Sequence, residues 1–506
     1  MKKKLLSLLL LTMVVAGYSR QVLASHMSGS ELTYSCVAPN MYIISLKYYR
    51  VCGMAQLNNA FTAIAKANTC GAAIGQKQIT LNKAGNNRIA QPYCATGPNN
   101  CTGSAQAFNY EEVLYTGNVT FTAAEASCPD WFISLLECDR PNSANLQGVN
   151  CLYTEAYLNL SAGLNNSSPQ FMDLEPPFVA LNNQVGLTAF ALESDGDSVV
   201  YSLQPALSDA NTPVQYLQGF SAQNFIPTLA PIRLDPENGS MSFIPTTFQA
   251  GNPGSGANFY FAVVQADEYR KVGGTMQKIG HVRRDMVIHV IDSAPNLNPK
   301  IAGVTANGVT LAPASVIELR PGSPLTFQFN ASDQNPADVL EISSNAATML
   351  PNASFTVVQG AQPGGTVSWT PTAANVRSRP YFFHVTVKDN ACPVRGFQTY
   401  TFAVRVSASG AVTGIKESTK NTLEFVAYPN PFKNEVSFRI NRSPASEQTI
   451  IIYNALGQKI DQIPVKKEEA GNGVKWTNAG KFAPGQYVAR LLDGNTIKQT
   501  VKFSKL

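Results

Sequence analysis

Apolar and polar residues alternate singly along much of this chain, and that two-residue period limits its fold more than any other feature. It puts one face of a strand in a core and the other in solvent. Val436, Phe438 and Ile440 face one way while Glu435, Ser437 and Arg439 face the other. Tyr487, Ala489 and Leu491 repeat the pattern up to Asp493-Gly494, a favoured hairpin turn, and Ile497, Gln499, Val501 and Phe503 carry it back. Short runs of this kind are closed by Gly, Pro and Asn clusters such as Gly471-Asn472-Gly473. No window carries a long amphipathic helix; only Asn59 to Lys66 reads as a short one. The chain is therefore expected to be all-β, and 506 residues predict several domains.

Eight of nine cysteines, Cys36, Cys52, Cys70, Cys94, Cys101, Cys128, Cys138 and Cys151, fall in one region. An even, clustered set behind an export signal reads as a disulfide framework, with four bridges expected and the connectivity open. Zinc is disfavoured, because no pair has Cys-x-x-Cys spacing and the nearby histidine is His26 alone. Glu31 to Cys36 and Met41 to Arg50 read as a hairpin around Ala38-Pro39-Asn40, and Leu152 to Leu160 as a further strand. The ninth cysteine, Cys392, reads as a small buried thiol or an intermolecular bridge.

The two ends of the chain differ from its body. Lys2, Lys3 and Lys4 precede the apolar run Leu5 to Ala16, and Val22-Leu23-Ala24 forms a small-residue cleavage site, so the mature chain is expected to start at Ser25 after loss of 1–24. No later stretch is long enough to span a membrane as a helix. The formal charge of +5 falls to +1 once Lys2, Lys3, Lys4 and Arg20 are removed. From residue 422 onward, twelve Lys and Arg face seven Asp and Glu, which leaves about −4 on residues 25–421. That body has no basic run interleaved with aromatics, so nucleic acid is not an expected partner.

After Ser161 to Ser168 a repeat begins. Glu193-Ser194-Asp195-Gly196-Asp197 is echoed by Asp333 to Asp338, Gly239 to Thr246 by Gly365 to Thr372, and Phe259 to Asp267 by Tyr381 to Asp389, at offsets of 122 to 138 residues. Two duplicated β-sandwiches are expected.

No His-Glu-x-x-His, Gly-x-Ser-x-Gly or phosphate-binding loop occurs. His26, His281, His289 and His384 are scattered, and the last two sit within alternating apolar strands, as core histidines do. No catalytic residue is assigned. A pair of glycosidase carboxylates cannot be read from sequence, which keeps a hydrolase with its site in the cysteine-rich domain as an alternative.

Three motifs near the C-terminus, in order, resemble the type A sorting domain of bacterial type IX secretion. They are Tyr428-Pro429-Asn430-Pro431-Phe432, Ile452 to Gln458 with Gly457, and Gly485-Gln486-Tyr487, closed by a Lys-bearing strand within the last 84 residues. Seven short strands at this spacing suggest a sandwich, and the resemblance implies a partner in the type IX secretion machinery, passage across the outer membrane, and removal of the module afterwards. The duplicated region resembles cadherin-like and bacterial immunoglobulin-like modules, in which strand-end carboxylates hold calcium. On that basis Glu193, Asp195, Asp197 and Asp267 are candidate calcium ligands, with Asp333, Asp338 and Asp389 as a second set. Hard, mutually repelling oxygens suit that ion, although a solvated acidic turn would use the same residues. The opening Ser25 to Tyr34, with Leu46 to Cys52, is similar to the mature N-termini of surface proteins associated with gliding or adhesion.

The expected organisation is a signal peptide (1–24), a cysteine-rich β domain (25–168), a cadherin-like sandwich (169–295), a related immunoglobulin-like sandwich (296–407), a linker (408–421) and the sorting domain (422–506). The expected function is non-enzymatic adhesion or ligand binding at the cell surface or after secretion, toward a glycan or protein. A structural matrix component is the third alternative.

Overall fold

The computed structural model describes residues 27–51, 57–70, 74–90, 94, 110–408 and 425–505, apart from 139, 149–150, 162–163, 173–177, 252–255, 313, 361–362, 393, 429–431, 433, 441–447, 455–457, 466–473, 484 and 494–495. It forms two compact units, residues 1–417 and 418–506. The expected leader (1–24, with the Ala24/Ser25 junction) and almost all of the expected linker lie outside the described residues.

Seven antiparallel strands build the front of the first unit: β1 (Met27–Ala38), β2 (Met41–Val51), β3 (Ala60–Ala67), β4 (Gln76–Ala90), β5 (Tyr110–Thr120), β6 (Asp130–Glu137) and β7 (Leu152–Asn159). They run in the order β1-β2-β5-β4-β3-β6-β7. The eighth stave comes from far along the chain. The strand Thr275–Ile291 pairs with β7 from Gly280↔Leu158 to Val282↔Ala156, and with β1 from Gly29↔Met286 to Glu31↔Arg284. These pairings, three residues long at each joint, close the strand order into a ring. Leu32, Tyr34, Ile44, Leu46, Phe61, Tyr115, Trp131 and Val282 are among the residues of the core it encloses. Where β1 meets the eighth stave, a Cβ on Gly29 would collide with the Asp285 carbonyl oxygen, so the close approach needs glycine.

Two expectations change here. Residues 60–67 are a strand, not a helix, because the Phe61, Ala63, Ala65 alternation is held on both sides by β4 and β6. The sheet also runs across the expected boundary at 168, since the 25–168 segment lacks the stave that closes its barrel. Buried charge ties the same seam: Arg284 binds Glu31, which also lies 3.4 Å from Lys47, and Arg140 binds Asp285 at 2.8 Å.

The repeat proves to be a repeat of topology. In the first copy, Val185–Thr188, Ser240–Phe243 and Arg233–Leu234 form one sheet. Its other sheet holds Ser198–Gln204, Phe259–Val272 and Thr275–Ile291, with Phe178–Ala180 parallel to the last. In the second copy, Leu325–Ser332, Gly364–Trp369 and Ser354–Val358 correspond to the first sheet, with Lys300–Ala306 added at its edge. Glu341–Ser344, Tyr381–Lys388 and Phe397–Val406, with Val316–Leu319 parallel, correspond to the second. The hairpin of the first copy has strands of 14 and 17 residues against 8 and 10 in the second. That added length is what reaches the barrel.

The second unit is a seven-stranded sandwich. Phe425–Tyr428, Val436–Ile440 and Val474–Trp476 form one sheet, and Lys459–Val465, Gln448–Asn454, Gly485–Asp493 and Thr496–Lys505 the other. Phe432, Phe438, Trp476, Tyr487 and Phe503 pack its core.

Candidate functional site

The two acidic loops occupy equivalent places in the two copies and differ in what faces them. In the first, Glu193 folds back on its own loop and accepts the backbone N–H groups of Asp195 (2.5 Å) and Asp197 (2.6 Å). Asp197 is buried and receives Arg270 through two hydrogen bonds, from Nε at 2.7 Å and Nη2 at 2.6 Å. Asp195 lies 3.6 Å from the same guanidinium and accepts Ser167 N–H at 2.7 Å. Arg270 also donates to the Leu164 carbonyl and to Asn166 Oδ1. One oxygen each of Glu193, Asp195 and Asp197 lies within 4.8 Å of the others, as expected, and an arginine stands beside them. Asp267 does not join them. It sits beside Lys278 at 2.6 Å and Gln265 Nε2 at 2.8 Å, while its neighbour Glu268 is the residue whose charge is felt with Glu193, Asp195 and Asp197. Successive residues of a strand point to opposite faces, which separates the two. Glu268 is fully buried and bonded to Asn166; burial, reinforced by those nearby carboxylates, pushes it up to about 9.

In the second copy Asp333, Asp338 and Asp389 converge, with one oxygen of each within 4.8 Å of the others. Asp389 is fully buried; its Oδ1 accepts the N–H groups of Ala391 (3.0 Å) and Gly396 (2.8 Å), and its Oδ2 accepts Asn296 Nδ2 (2.9 Å). Asp333 Oδ1 accepts Asn335 N–H at 2.8 Å. Two oxygens remain buried without a partner, Asp333 Oδ2 and Asn296 Oδ1. Burial and mutual repulsion raise both Asp333 and Asp389. Arg395 does not neutralise the group, because its guanidinium binds the Asp389 carbonyl and Glu341. Asn296 was not anticipated; its place between the two repeats, 37 residues ahead of Asp333, gave no signal.

A third group lies on one face of the large sheet. Lys66, Phe132, Tyr157, His281 and Asp267 stand opposite one another across five strands. His281 Nε2 lies 3.5 Å from Glu155. Burial raises Glu155, but His281 and Arg283 outweigh it and hold the carboxyl below its usual range. A glycosidase acid needs the opposite shift. His289 and His384 are buried in strands, and burial lowers them to about 3 and about 4.

The disulfides depart from the expected set. Cys70–Cys128 and Cys138–Cys151 form within the cysteine-rich region. Cys94 pairs instead with Cys392, bridging 298 residues to the second sandwich, so Cys392 is neither a buried thiol nor an intermolecular link. Cys36 is a free thiol whose Sγ donates to the Ala38 carbonyl at 3.3 Å, the β1–β2 register having set it opposite Tyr42. Cys52 and Cys101 lie outside the described residues. Sequence clustering missed the long bridge because proximity along the chain is no measure of proximity across a sheet.

In the C-terminal unit, Phe432 is buried against Trp476 and Phe503, Gly485 opens a strand, and the Tyr487 hydroxyl donates to the Ala483 carbonyl. Tyr428 ends the first strand, while Pro429, Asn430, Pro431 and Gly457 lie outside the described residues. Lys505 in the last strand donates to the carbonyls of Ala479, Gly480 and Phe482 at 2.9, 3.0 and 2.6 Å. The lysine thereby ties the end of the chain to the turn at Ala479–Lys481.

Residues 426–505 match the family model of the secretion system C-terminal sorting domain. This part of the chain is a type IX sorting tail, which implies export across the outer membrane. No curated protein matches the chain. Among solved structures it is similar to the Drosophila N-cadherin EC1-3 fragment, at 12% identity over 65% of this chain and 97% of that one, with a TM-score of 0.22. It is also similar to the N-terminal eight immunoglobulin domains of Down Syndrome Cell Adhesion Molecule, at 12% identity and a TM-score of 0.16; 92% of this chain is covered but 47% of that one, so it spans about half of that length. Zebrafish RET cadherin-like domains 1 to 4 match at 10% identity, 84% and 93% coverage and a TM-score of 0.16. Scores this low assign nothing to the chain; its all-β architecture rests on its own strands. Among the described residues no helix is long and apolar enough to cross a membrane.

Proposed function

We infer that this is a non-enzymatic protein of the cell surface or secreted medium whose body binds a glycan or protein ligand, and which the type IX secretion machinery delivers. The sorting tail at 426–505 carries the reading. The leader expected at 1–24 supplies the first membrane crossing. The body suits exposure outside the cell, since its strand order closes into a ring and a disulfide braces it to the second sandwich. Calcium belongs to this proposal at the second acidic cluster, where Asp333, Asp338 and Asp389 supply carboxylates and the partnerless Asn296 Oδ1 a fourth oxygen.

Deleting residues 422–506 tests delivery. The truncated protein should accumulate in the periplasm and be shielded from protease added to whole cells, while the full chain is digested. Normal surface display of the truncation would overturn the assignment. For the body, the mature full chain should bind members of a glycan and extracellular-protein array without altering them. Turnover of an arrayed glycan would overturn the non-enzymatic reading.

A further inference from the structure

At the seam of the two sandwiches lies a half-open cavity of about 250 Å³ that the acidic loops do not touch. Met172, Leu187 and Thr188 of the first copy form one wall, and Asn345, His384 and Phe397 of the second another. None of its described lining residues is charged; Ser343, Ser344, Thr386 and Thr399 supply hydroxyls around it. Two lining groups are poorly served. His384 is 5% exposed, and while its Nδ1 lies 2.9 Å from Thr401 Oγ1, its Nε2 is buried with no partner. Asn345 uses Oδ1 on the His384 backbone N–H at 2.7 Å, but its Nδ2 meets only the thioether of Met172 at 3.1 Å, a weak acceptor.

Together these groups define a ligand chemistry. Which tautomer His384 adopts depends on whether Thr401, itself 2.5 Å from Ser240 Oγ, gives or takes a proton. Either way Nε2 is left needing a complement, and a hydroxyl serves both cases because it donates and accepts. Asn345 Nδ2, which meets only a thioether, likewise suits an oxygen acceptor. Absence of charge from the lining disfavours phosphates, carboxylates and cations, whose desolvation it would leave uncompensated. The volume lies just under that of pockets for drug-sized ligands, about 300–1,000 Å³. Phe397 and Leu187 add the apolar surface that a sugar ring's C–H face can cover.

We propose that this seam cavity binds an uncharged, hydroxyl-rich ligand the size of one sugar ring, with His384 and Asn345 as its polar contacts. The proposal deepens the ligand-binding reading above and rests on it. Saturation-transfer NMR on the full mature chain, with the methyl glycosides of glucose, galactose, mannose, fucose and N-acetylglucosamine at 10 mM each, tests it. At least one probe should receive saturation, and that signal should fall at least tenfold in His384→Leu and in Ser343→Trp. Ser343 is exposed at the rim, so the second variant blocks the opening without disturbing the core, and an unchanged melting temperature verifies this. No transfer to any probe, which would mean the cavity holds solvent alone, or transfer unchanged in both variants, overturns the proposal. Array binding that survives Ser343→Trp would leave the general ligand-binding reading standing while removing this cavity from it.

Discussion

The two sandwiches share one topology yet have solved two problems differently. In the first, the last hairpin has grown long enough to become part of another structure, the barrel, and an arginine from that hairpin has moved in among the acidic loop. In the second, the hairpin stayed short and the acidic loop faces partnerless oxygens instead of a cation. This copy joins the rest of the unit through side-chain contacts along the seam, such as Ser240 with Thr401, and through a covalent bond at Cys392, rather than by shared strands. The lesson is that a duplicated strand pattern fixes neighbours within a copy, while what lies beyond the copy is set by strand length and by single residues such as Arg270.

The largest effect that could break this contrast should come from the buried pair at the seam. Arg284→Ala leaves Glu31 charged and buried, with Lys47 at 3.4 Å as its remaining partner, and should cost about 3–5 kcal/mol. Urea denaturation should show barrel and first sandwich losing that stability together, and a loss confined to one of them would break the contrast. Next in size is Arg270→Ala. Stranding buried Asp197 without its partner should cost about 2–3 kcal/mol in chelator, and calcium should restore part of it, since the carboxylates then need another cation. Recovery with calcium that equals that of the unmodified chain would show that Arg270 was not filling the cation's place.

Calcium acting on the unmodified protein should be a smaller effect. Its melting temperature should rise by several degrees at millimolar calcium, and Asp333→Asn with Asp338→Asn should abolish the rise. A rise that persists in that double variant moves the ion elsewhere. Apart from these substitutions and the ion stands a tilt with pH. Glu268 is raised in the fold to about 9 from 4.5. Its neutral form is the one the fold holds, so its stabilising contribution is complete below about pH 4.5 and fades as pH rises through 9. Glu268→Gln should therefore gain stability relative to the unmodified chain at pH 9 compared with pH 5, and melting curves that keep the same difference at both values would contradict this.

How much of this was legible depended on range. The strand at Val436–Ile440 and the hairpin ending in Phe503 follow from alternation and turn residues, and so does the pairing of β1 with β2 around Asn40, whose φ of 62° asparagine tolerates. Repeat landmarks such as Phe259 and Tyr381 marked equivalent strands correctly because the same local chemistry recurs. Closure of the barrel was not legible, because nothing in Gly29 to Glu31 says that its partner lies some 250 residues away. Asp195 and Asp197 were read as a site from their spacing, but the residue that decides its charge, Arg270, comes 73 positions after Asp197. Asn59 to Lys66 read as a short helix, and cross-strand pairing made 60–67 a strand.

The claim on which the contrast rests is that Thr275–Ile291 belongs to barrel and sandwich at once. Amide hydrogen exchange on fragments 25–168 and 25–291 tests it most directly. The account predicts slow exchange in β1 and β7 only in the longer fragment, with the shorter one exchanging throughout as an unclosed sheet. Equal protection of β1 and β7 in 25–168 would mean that the barrel folds without its eighth stave, and would contradict it.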